Sequence, residues 1–364
     1  MHGTPDYTDN SDYHFINGNN LVDGRIEIYE NTKKVSTSTF FKNNKDLKEN
    51  TLLISINGTI GSIAKYNNEK VMLGKSVGYF NFNNNSDFIY FTLHTKSIQD
   101  YFFSELTGST IKNLSLKTLR ETNIHLPSSE EQIKISYFLS LIDNRIQTQR
   151  KIIEQLETLM KASRENVFSQ KLRFRDNEEN DFPNWNNMVL GNIGDVKMCR
   201  RVFNDQTSSN GDIPFYKIGS FGKVADAFIS KKLYKEYRKR FSFPKKGDIL
   251  ISAAGTIGRT VVYRGEDAYY QDSNIVWIDN DNTKVLNEFL YFILQIVQYS
   301  TEGGTIQRLY NNILKSTKFH CPSLLEQEKI VNFLSSIQKK IENEKQFLEK
   351  LELQKKFLLD NLFI

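Results

Sequence analysis

The chain is 364 residues long, 39% apolar and 12% aromatic, with 48 Lys and Arg against 43 Asp and Glu for a net charge of +5. That is apolar material for two or three buried cores, and a basicity compatible with a polyanionic partner without demanding one. No run of ~18 apolar residues and no apolar leader behind Met1-His2-Gly3 occur, and Cys199 and Cys321 are the only cysteines, which predicts a cytoplasmic chain with reduced thiols and argues against a membrane span, a signal peptide or a disulfide framework.

Residues 1–127 read as a first globule. Short strand-like runs at Arg25 to Tyr29, Leu52 to Ile56, Ser62 to Tyr66 and Val77 to Phe82 are punctuated by Asn/Gly clusters, and Phe88 to Phe103 reads as one helix. Pro127-Ser128 then opens a long helix over 128–173, roughly 65 Å at 1.5 Å per residue. Ser128 and Glu131 have the spacing of a capping box. From Ile135, alternate steps of four and three reach Leu139, Ile142, Ile146, Gln149, Ile153, Leu156, Met160, Ser163 and Val167, a coiled-coil seam.

An acidic linker, 174–181, leads to Phe182-Pro183-Asn184-Trp185 and a second globule over 182–321. Its expected strands are Val189 to Ile193, Asp248 to Ser252, Thr260 to Tyr263 and Ile275 to Ile278, and its expected helix is Leu286 to Tyr299. A second long helix follows over 322–364. Ser323 and Glu326 repeat the capping box, and the seam runs through Ile330, Leu334, Ile337, Ile341, Glu344, Leu348, Leu351, Lys355, Leu358 and Leu362.

The second half is a copy of the first. Pro127-Ser-x-x-x-Gln132 returns as Pro322-Ser-x-x-x-Gln327, 195 residues on, and Gln149 returns at the same offset as Glu344. Ile54-Ser55-x-x-Gly58-Thr59-Ile60-Gly61 returns as Ile251-Ser252-x-x-Gly255-Thr256-Ile257-Gly258, and Thr110-Ile111-x-x-Leu114 as Thr305-Ile306-x-x-Leu309. The expected fold class is α+β: two pseudo-repeated mixed α/β globules separated by a pair of long helices that form an antiparallel coiled coil about an internal dyad. On that dyad Gln149 should lie close to Glu344, a buried polar pair that fixes register. The stretch Lys231 to Phe243, with six basic residues, has no close sequence partner in the first half. A shared frame with dissimilar surfaces suits recognition of two different things at a fixed spacing.

A search for catalytic constellations comes out against an enzyme. Leu73-Gly74-Lys75-Ser76 lacks the glycine that a phosphate-binding loop needs at position 69. Gly219-Ser220-Phe221-Gly222 is too short for a dinucleotide fingerprint, and no Pro-Pro segment of an amino-methyltransferase exists. Pro5-Asp6 with Asp46-Leu47-Lys48 is too widely spaced for a metal-dependent nuclease, and the five histidines show no metal-ligand spacing. The Gly-Thr-Ile-Gly segments have two readings: backbone amides approaching phosphate, or glycines serving a strand-to-strand turn, their commonest use.

Taken together, the paired Pro-Ser-x-x-Glu-Gln-x-x-Ile-type helix starts, the paired Ser-x-x-Gly-Thr-Ile-Gly turns and the Phe-Pro-x-Trp opening of the second half resemble the specificity subunit of type I restriction-modification systems, over nearly the whole chain. The resemblance implies a non-catalytic role in bacterial defence. Two target recognition domains would each read half of a bipartite, asymmetric double-stranded DNA target. The long helices would act as spacer and dock two modification (methyltransferase) subunits, with restriction (ATP-dependent translocase and nuclease) subunits as further partners. S-adenosylmethionine, ATP and Mg²⁺ would belong to those partners, with no cofactor in this chain. One departure stands out: the first half has no counterpart of Phe182 to Lys197.

DNA affinity needs Lys and Arg at phosphates, and specificity needs Arg, Asn or Gln at base edges. The candidates in the second globule are Arg200, Arg201, Lys217, Lys223, Arg238, Lys239, Arg240, Arg259, Gln307 and Arg308, and in the first Lys33, Lys34, Lys42, Lys75, Lys112 and Asn113. Ile142, Ile146, Gln149, Ile153, Ile337, Ile341, Glu344 and Leu348 are the expected helix-pairing residues. The alternative reading is a coiled-coil scaffold whose two globules bind proteins.

Overall fold

A computed structural model describes residues 5–110, 112–299 and 308–363. It divides into two compact units, one of Met1–Ile153 with Asn343–Ile364 and the other of Glu154–Glu342. The division falls inside both long helices, which span Ser129–Phe168 and Leu324–Leu362. Among the described residues no helix is long and apolar enough to cross a membrane.

In the first unit, an antiparallel sheet runs Ile63–Lys65, Thr51–Ser55, Val77–Asn81, with Ser55 opposite Val77 and Ile54 opposite Ile63. Thr51–Ser55 is buried on both faces, as its unbroken apolar run requires. A second sheet sets Tyr13–Ile16 between Lys34–Val35 and Val71–Leu73, the last pair parallel. The strand expected from Arg25 to Tyr29 is only Arg25–Ile26. The helix expected over 88–103 is two, Ser86–Leu93 and Lys96–Ser104. Thr95 breaks it by turning extended (φ −64°, ψ 149°), and its hydroxyl donates 2.7 Å to the Thr92 carbonyl.

In the second unit the sheet order is Gly194–Met198, Ile275–Asn280, Ile249–Ser252, Thr260–Val262, all antiparallel. A second sheet runs Thr207–Ser208, Phe228–Ile229, Ile213–Tyr216, Tyr269–Tyr270, again with the last pair parallel. Lys318–Cys321 pairs with Asn186–Val189. The single strand expected over 189–193 is instead two, divided at Leu190–Asn192. There the Asn192 side chain accepts from the Val189 amide at 2.9 Å and turns the chain. The expected helix 286–299 is confined to Asn287–Leu294.

The two units share a common frame, to which the second adds the edge strands Gly194–Met198 and Thr207–Ser208. The parallel pair Tyr13–Ile16/Val71–Leu73 matches Ile213–Tyr216/Tyr269–Tyr270, and Ser86–Leu93 matches Asn287–Leu294. The basic stretch after Phe228–Ile229 is a helix, Lys231–Arg240, whose cap Ser230 accepts from the Leu233 amide. It does have a topological partner: Thr37–Asn43 follows strand Lys34–Val35 and is capped by Ser36 in the same way. The two are chemically unlike, six cationic residues against a Phe40–Phe41 pair, so the frame repeats and the surface does not.

The heptad seam is buried almost as its spacing predicts. In the first unit Leu139, Ile142 and Ile146 share a core with Leu351 and Leu359. Gln149, 5% exposed, donates to the Glu344 carboxylate at 2.5 Å and to its carbonyl at 3.2 Å. Asp143, earlier in the first helix, meets Lys355, later in the second, at 2.5 Å, so these segments run antiparallel. Ile153 is buried and Leu348 half-buried. In the second unit Met160 and Val167 share a core with Ile330, Leu334, Ile337 and Ile341. The seam departs from the heptad at the start of the first helix, where Gln132 and Ser136 are buried and Ile135 half-buried, and at the end of the second, where Leu359 is buried and Leu362 exposed.

Candidate nucleic-acid interface

Each long helix is latched to its globule by a duplicated glutamine. Gln132 donates to the Pro127 carbonyl at 2.8 Å and accepts from Asn85, which caps helix Ser86–Leu93. Gln327 donates to the Pro322 carbonyl at 3.0 Å and accepts from the Leu286 amide, at the same place in its own unit. The serine half of each capping box is present, with Ser128 and Ser323 accepting from the amides of Glu131 and Glu326. The Glu326 carboxylate, 0% exposed, instead accepts from Arg173 at 2.8 and 3.1 Å and from the Trp185 indole at 3.0 Å.

The Gly-Thr-Ile-Gly segments are tight turns with left-handed glycines: Gly58 at φ +73°, Gly61 at +82°, Gly255 at +65° and Gly258 at +80°. They join Thr51–Ser55 to Ile63–Lys65 and Ile249–Ser252 to Thr260–Val262. In each unit the turn pairs with the loop that leads to the long helix. Asn57 bridges Asn113 and Ala254 bridges Arg308, while the Leu114 amide donates to Ile56 (2.7 Å) and the Leu309 amide to Ala253 (2.9 Å). A Cβ on Gly58 would meet nothing within 4 Å, so that face of the turn is open.

In the second unit several candidates gather at this end of the sheet. Met198 lies opposite Val276 and Ser252 opposite Ile275, so 199–201, 253–259 and 271–274 emerge together. Arg201 pairs with Asp272 at 2.9 Å. The half-buried Arg259 donates to the Phe221 carbonyl at 2.8 Å, against the turn that carries Lys217 and Lys223; Lys217 also pairs with Asp226. Arg308 is exposed at its bridge to Ala254, and Gln307 lies outside the described residues.

A second group surrounds helix Lys231–Arg240. Arg238 stacks over Tyr234 and Phe243 and reaches Asp267, and Arg240 pairs with Glu236. Lys239 is exposed on the same helix. Arg200 lies 5.3 Å over the Phe241 ring and so joins the two groups.

The first unit is less concentrated. Lys75 lines a cavity of about 580 Å³ with Lys45 and Arg120, two cations that sequence reasoning passed over. Lys112 is exposed beside Asn113, whose amide and carbonyl close a hairpin with Thr107. Lys33 and Lys34 lie along the strand beside Tyr13–Ile16, and Lys42 is in the last turn of Thr37–Asn43.

Among the described residues no group of three or more His, Cys, Asp or Glu is placed to hold a metal ion. Burial pushes the Cys199 thiol up to about 12 and the Cys321 thiol up to about 11, so neither is a thiolate at neutral pH. The chemistry on offer is cationic and hydrogen-bonding, at the open ends of the sheets.

The family model described as the type I restriction modification DNA specificity domain matches residues 3–158 and 183–353. A putative type I restriction enzyme specificity subunit of Haemophilus influenzae is 59% identical over 150 residues, covering 41% of this chain and 39% of that protein. The MjaIX specificity subunit of Methanocaldococcus jannaschii is 26% identical over 62% of this chain and 56% of its own. The chain thus spans well under two thirds of these relatives' lengths. A crystal structure of the type I restriction-modification S subunit from M. genitalium shares the fold, with a TM-score of 0.59 at 18% identity over 98% of this chain and 90% of that one. Two matches of one model, one on each half of an internally repeated chain, establish the assignment: this chain belongs to the type I restriction modification DNA specificity family.

Proposed function

We infer that this chain is the sequence-reading, non-catalytic subunit of a cytoplasmic type I restriction-modification complex. Residues 1–127 and 182–321 each read one half of a bipartite, asymmetric double-stranded DNA target. The helices over 128–173 and 322–364 form the spacer and dock two modification subunits. Methyl transfer to adenine, ATP-driven translocation and cleavage belong to the modification and restriction subunits, which bind S-adenosylmethionine, ATP and Mg²⁺.

The observation that carries this reading is the duplicated pairing of the Gly-Thr-Ile-Gly turn with Asn113–Leu114 and Arg308–Leu309, at the sheet end where Arg200, Arg201, Arg259 and Arg308 gather in the second unit. Cations at phosphates supply affinity, and the unlike helices Thr37–Asn43 and Lys231–Arg240 supply different surfaces for the two half-sites.

The test is DNA binding by the assembled complex across a salt series. Affinity falls steeply with salt, and Arg308→Ala lowers the log–log slope by about one. Arg238→Ala relaxes or weakens recognition of one half-site only. Salt-insensitive assembly without DNA affinity would favour the scaffold.

A further inference from the structure

One turn recurs in both units with different contents. After strand Tyr13–Ile16 the Asn17 amide donates to the Asn20 side chain at 2.9 Å, and the Asn20 amide to the Asn17 carbonyl at 2.9 Å. After Ile213–Tyr216 the Lys217 amide donates to the Ser220 hydroxyl at 3.2 Å, and the Ser220 amide to the Lys217 carbonyl at 3.0 Å. Gly18 and Ile218 are therefore equivalent positions. Each lies beside the start of its Gly-Thr-Ile-Gly segment, at Ser55 and Ser252.

In the first unit the space between the two turns is filled. A Cβ on Gly18 would run into the Ser55 hydroxyl and lie 3.1 Å from the Asn57 carbonyl oxygen, so only glycine fits. In the second unit the same turns enclose a cavity of about 220 Å³, lined by Ile218, Gly219, Ser252, Gly255, Thr256 and Arg259. Ile218 is its apolar wall, half-buried against that unit's aromatic core. A Cβ on Gly219 would meet nothing within 4 Å, and one on Gly255 would meet only Ile218. The Ser252 hydroxyl is committed, donating to the Thr256 carbonyl and accepting from the Arg259 amide at 2.9 Å. The half-buried Arg259 guanidinium is pinned through one nitrogen to the Phe221 carbonyl, and its other nitrogens remain to donate.

An apolar wall beside a fixed donor matches one base edge in the major groove. Thymine alone offers an apolar group there, its 5-methyl, next to the O4 acceptor; cytosine offers a donor, and the purines only polar atoms. We propose that Ile218 reads a thymine in the half-site of the second unit. The 5-methyl packs on Ile218 between Gly219 and Gly255, and Arg259 donates to O4. The first unit, closed at Gly18, has no such site, which makes the two half-sites unlike. The inference rests on the DNA-reading role proposed above.

The test uses the full chain assembled with its modification subunits and a duplex carrying its target. Each thymine of the half-site read by 182–321 is replaced in turn by deoxyuridine, which removes the 5-methyl alone. At one position the replacement should weaken binding about fourfold, the worth of one buried methyl. In Ile218→Ala that effect should vanish, while the salt slope and recognition of the first half-site stay unchanged, since no charge is lost. Should Ile218→Ala fail to assemble, Gly219→Val takes its place: Gly219 is exposed and lies outside the left-handed region, so the added side chain obstructs the cavity without entering the core. Selective, salt-dependent binding that is indifferent to every thymine methyl would overturn the assignment and leave the DNA-reading role standing. So would a half-site without an A·T pair, or a methyl effect that survives the variant. A complex with no selective DNA binding would overturn both.

Discussion

Gln149 and Glu344 occupy equivalent places in the two long helices and are hydrogen-bonded to each other, the Gln149 amide reaching both the carboxylate and the backbone carbonyl of Glu344. A buried amide in an apolar seam is retained at a cost, and register is what it secures. Gln149→Ala should destabilise the chain by about 1–2 kcal/mol. A double-mutant cycle with Glu344→Ala, read from urea unfolding, should give a coupling of roughly 0.5–3 kcal/mol. Additive losses would mean that the pair contributes nothing beyond packing.

The buried Glu326 carboxylate holds Arg173 and the Trp185 indole at once. Removing it leaves the buried indole N–H without its acceptor and Arg173 with only the Phe182 and Pro183 carbonyls. Glu326→Ala should therefore cost about 3 kcal/mol, the lower end for a broken buried pair because Arg173 is partly exposed. Glu131→Ala, in the exposed equivalent, should change stability by less than about 0.5 kcal/mol. Equal effects in a thermal melt would contradict the difference drawn between the two units.

His94 should make the fold sensitive to acid. Burial lowers its imidazole to about 4, and its Nδ1 lies 2.7 Å from the Tyr90 carbonyl. The folded state holds the neutral ring below the unfolded value of 6.5, so its contribution is complete above that pH and is lost as pH falls toward 4. Urea midpoints measured from pH 7 to 4 should decline over this window, and His94→Gln should flatten the decline. An unchanged slope would place the acid sensitivity elsewhere.

The turn glycines give a graded prediction. A methyl at Gly58 enters open space, so Gly58→Ala should cost only the left-handed penalty of roughly 1–2 kcal/mol. At Gly258 the new Cβ would lie 2.7 Å from the Tyr299 ring, and the loss should be larger. Melting curves that reverse this order would contradict the turn geometry.

The seam was legible because a 3.5-residue period reports burial directly, and the equal offset of Gln149 and Glu344 carried their pairing. The capping boxes were half legible: Ser323 caps as expected, but Glu326 is claimed by Arg173 and Trp185, which are distant in sequence. Helix Lys231–Arg240 was obscured by its charge, although Leu233, Tyr234 and Tyr237 behind Ser230 mark one inward face. Strand Lys318–Cys321 was missed, and its signal was the alternation of Phe319 and Cys321 inward. The gathering of Arg201, Arg259 and Arg308 at one sheet end depends on strand register and could not be read from spacing.

The measurement closest to the central claim is a methylome. The chain is co-expressed with its modification subunit in a methylation-free host, and modified adenines are mapped by single-molecule sequencing. The account predicts a two-part motif with a fixed gap, one half of which changes when 182–321 is exchanged for another family member's domain. Absence of methylation from a stable, purified complex, or a motif that an exchange of 182–321 leaves untouched, would contradict it.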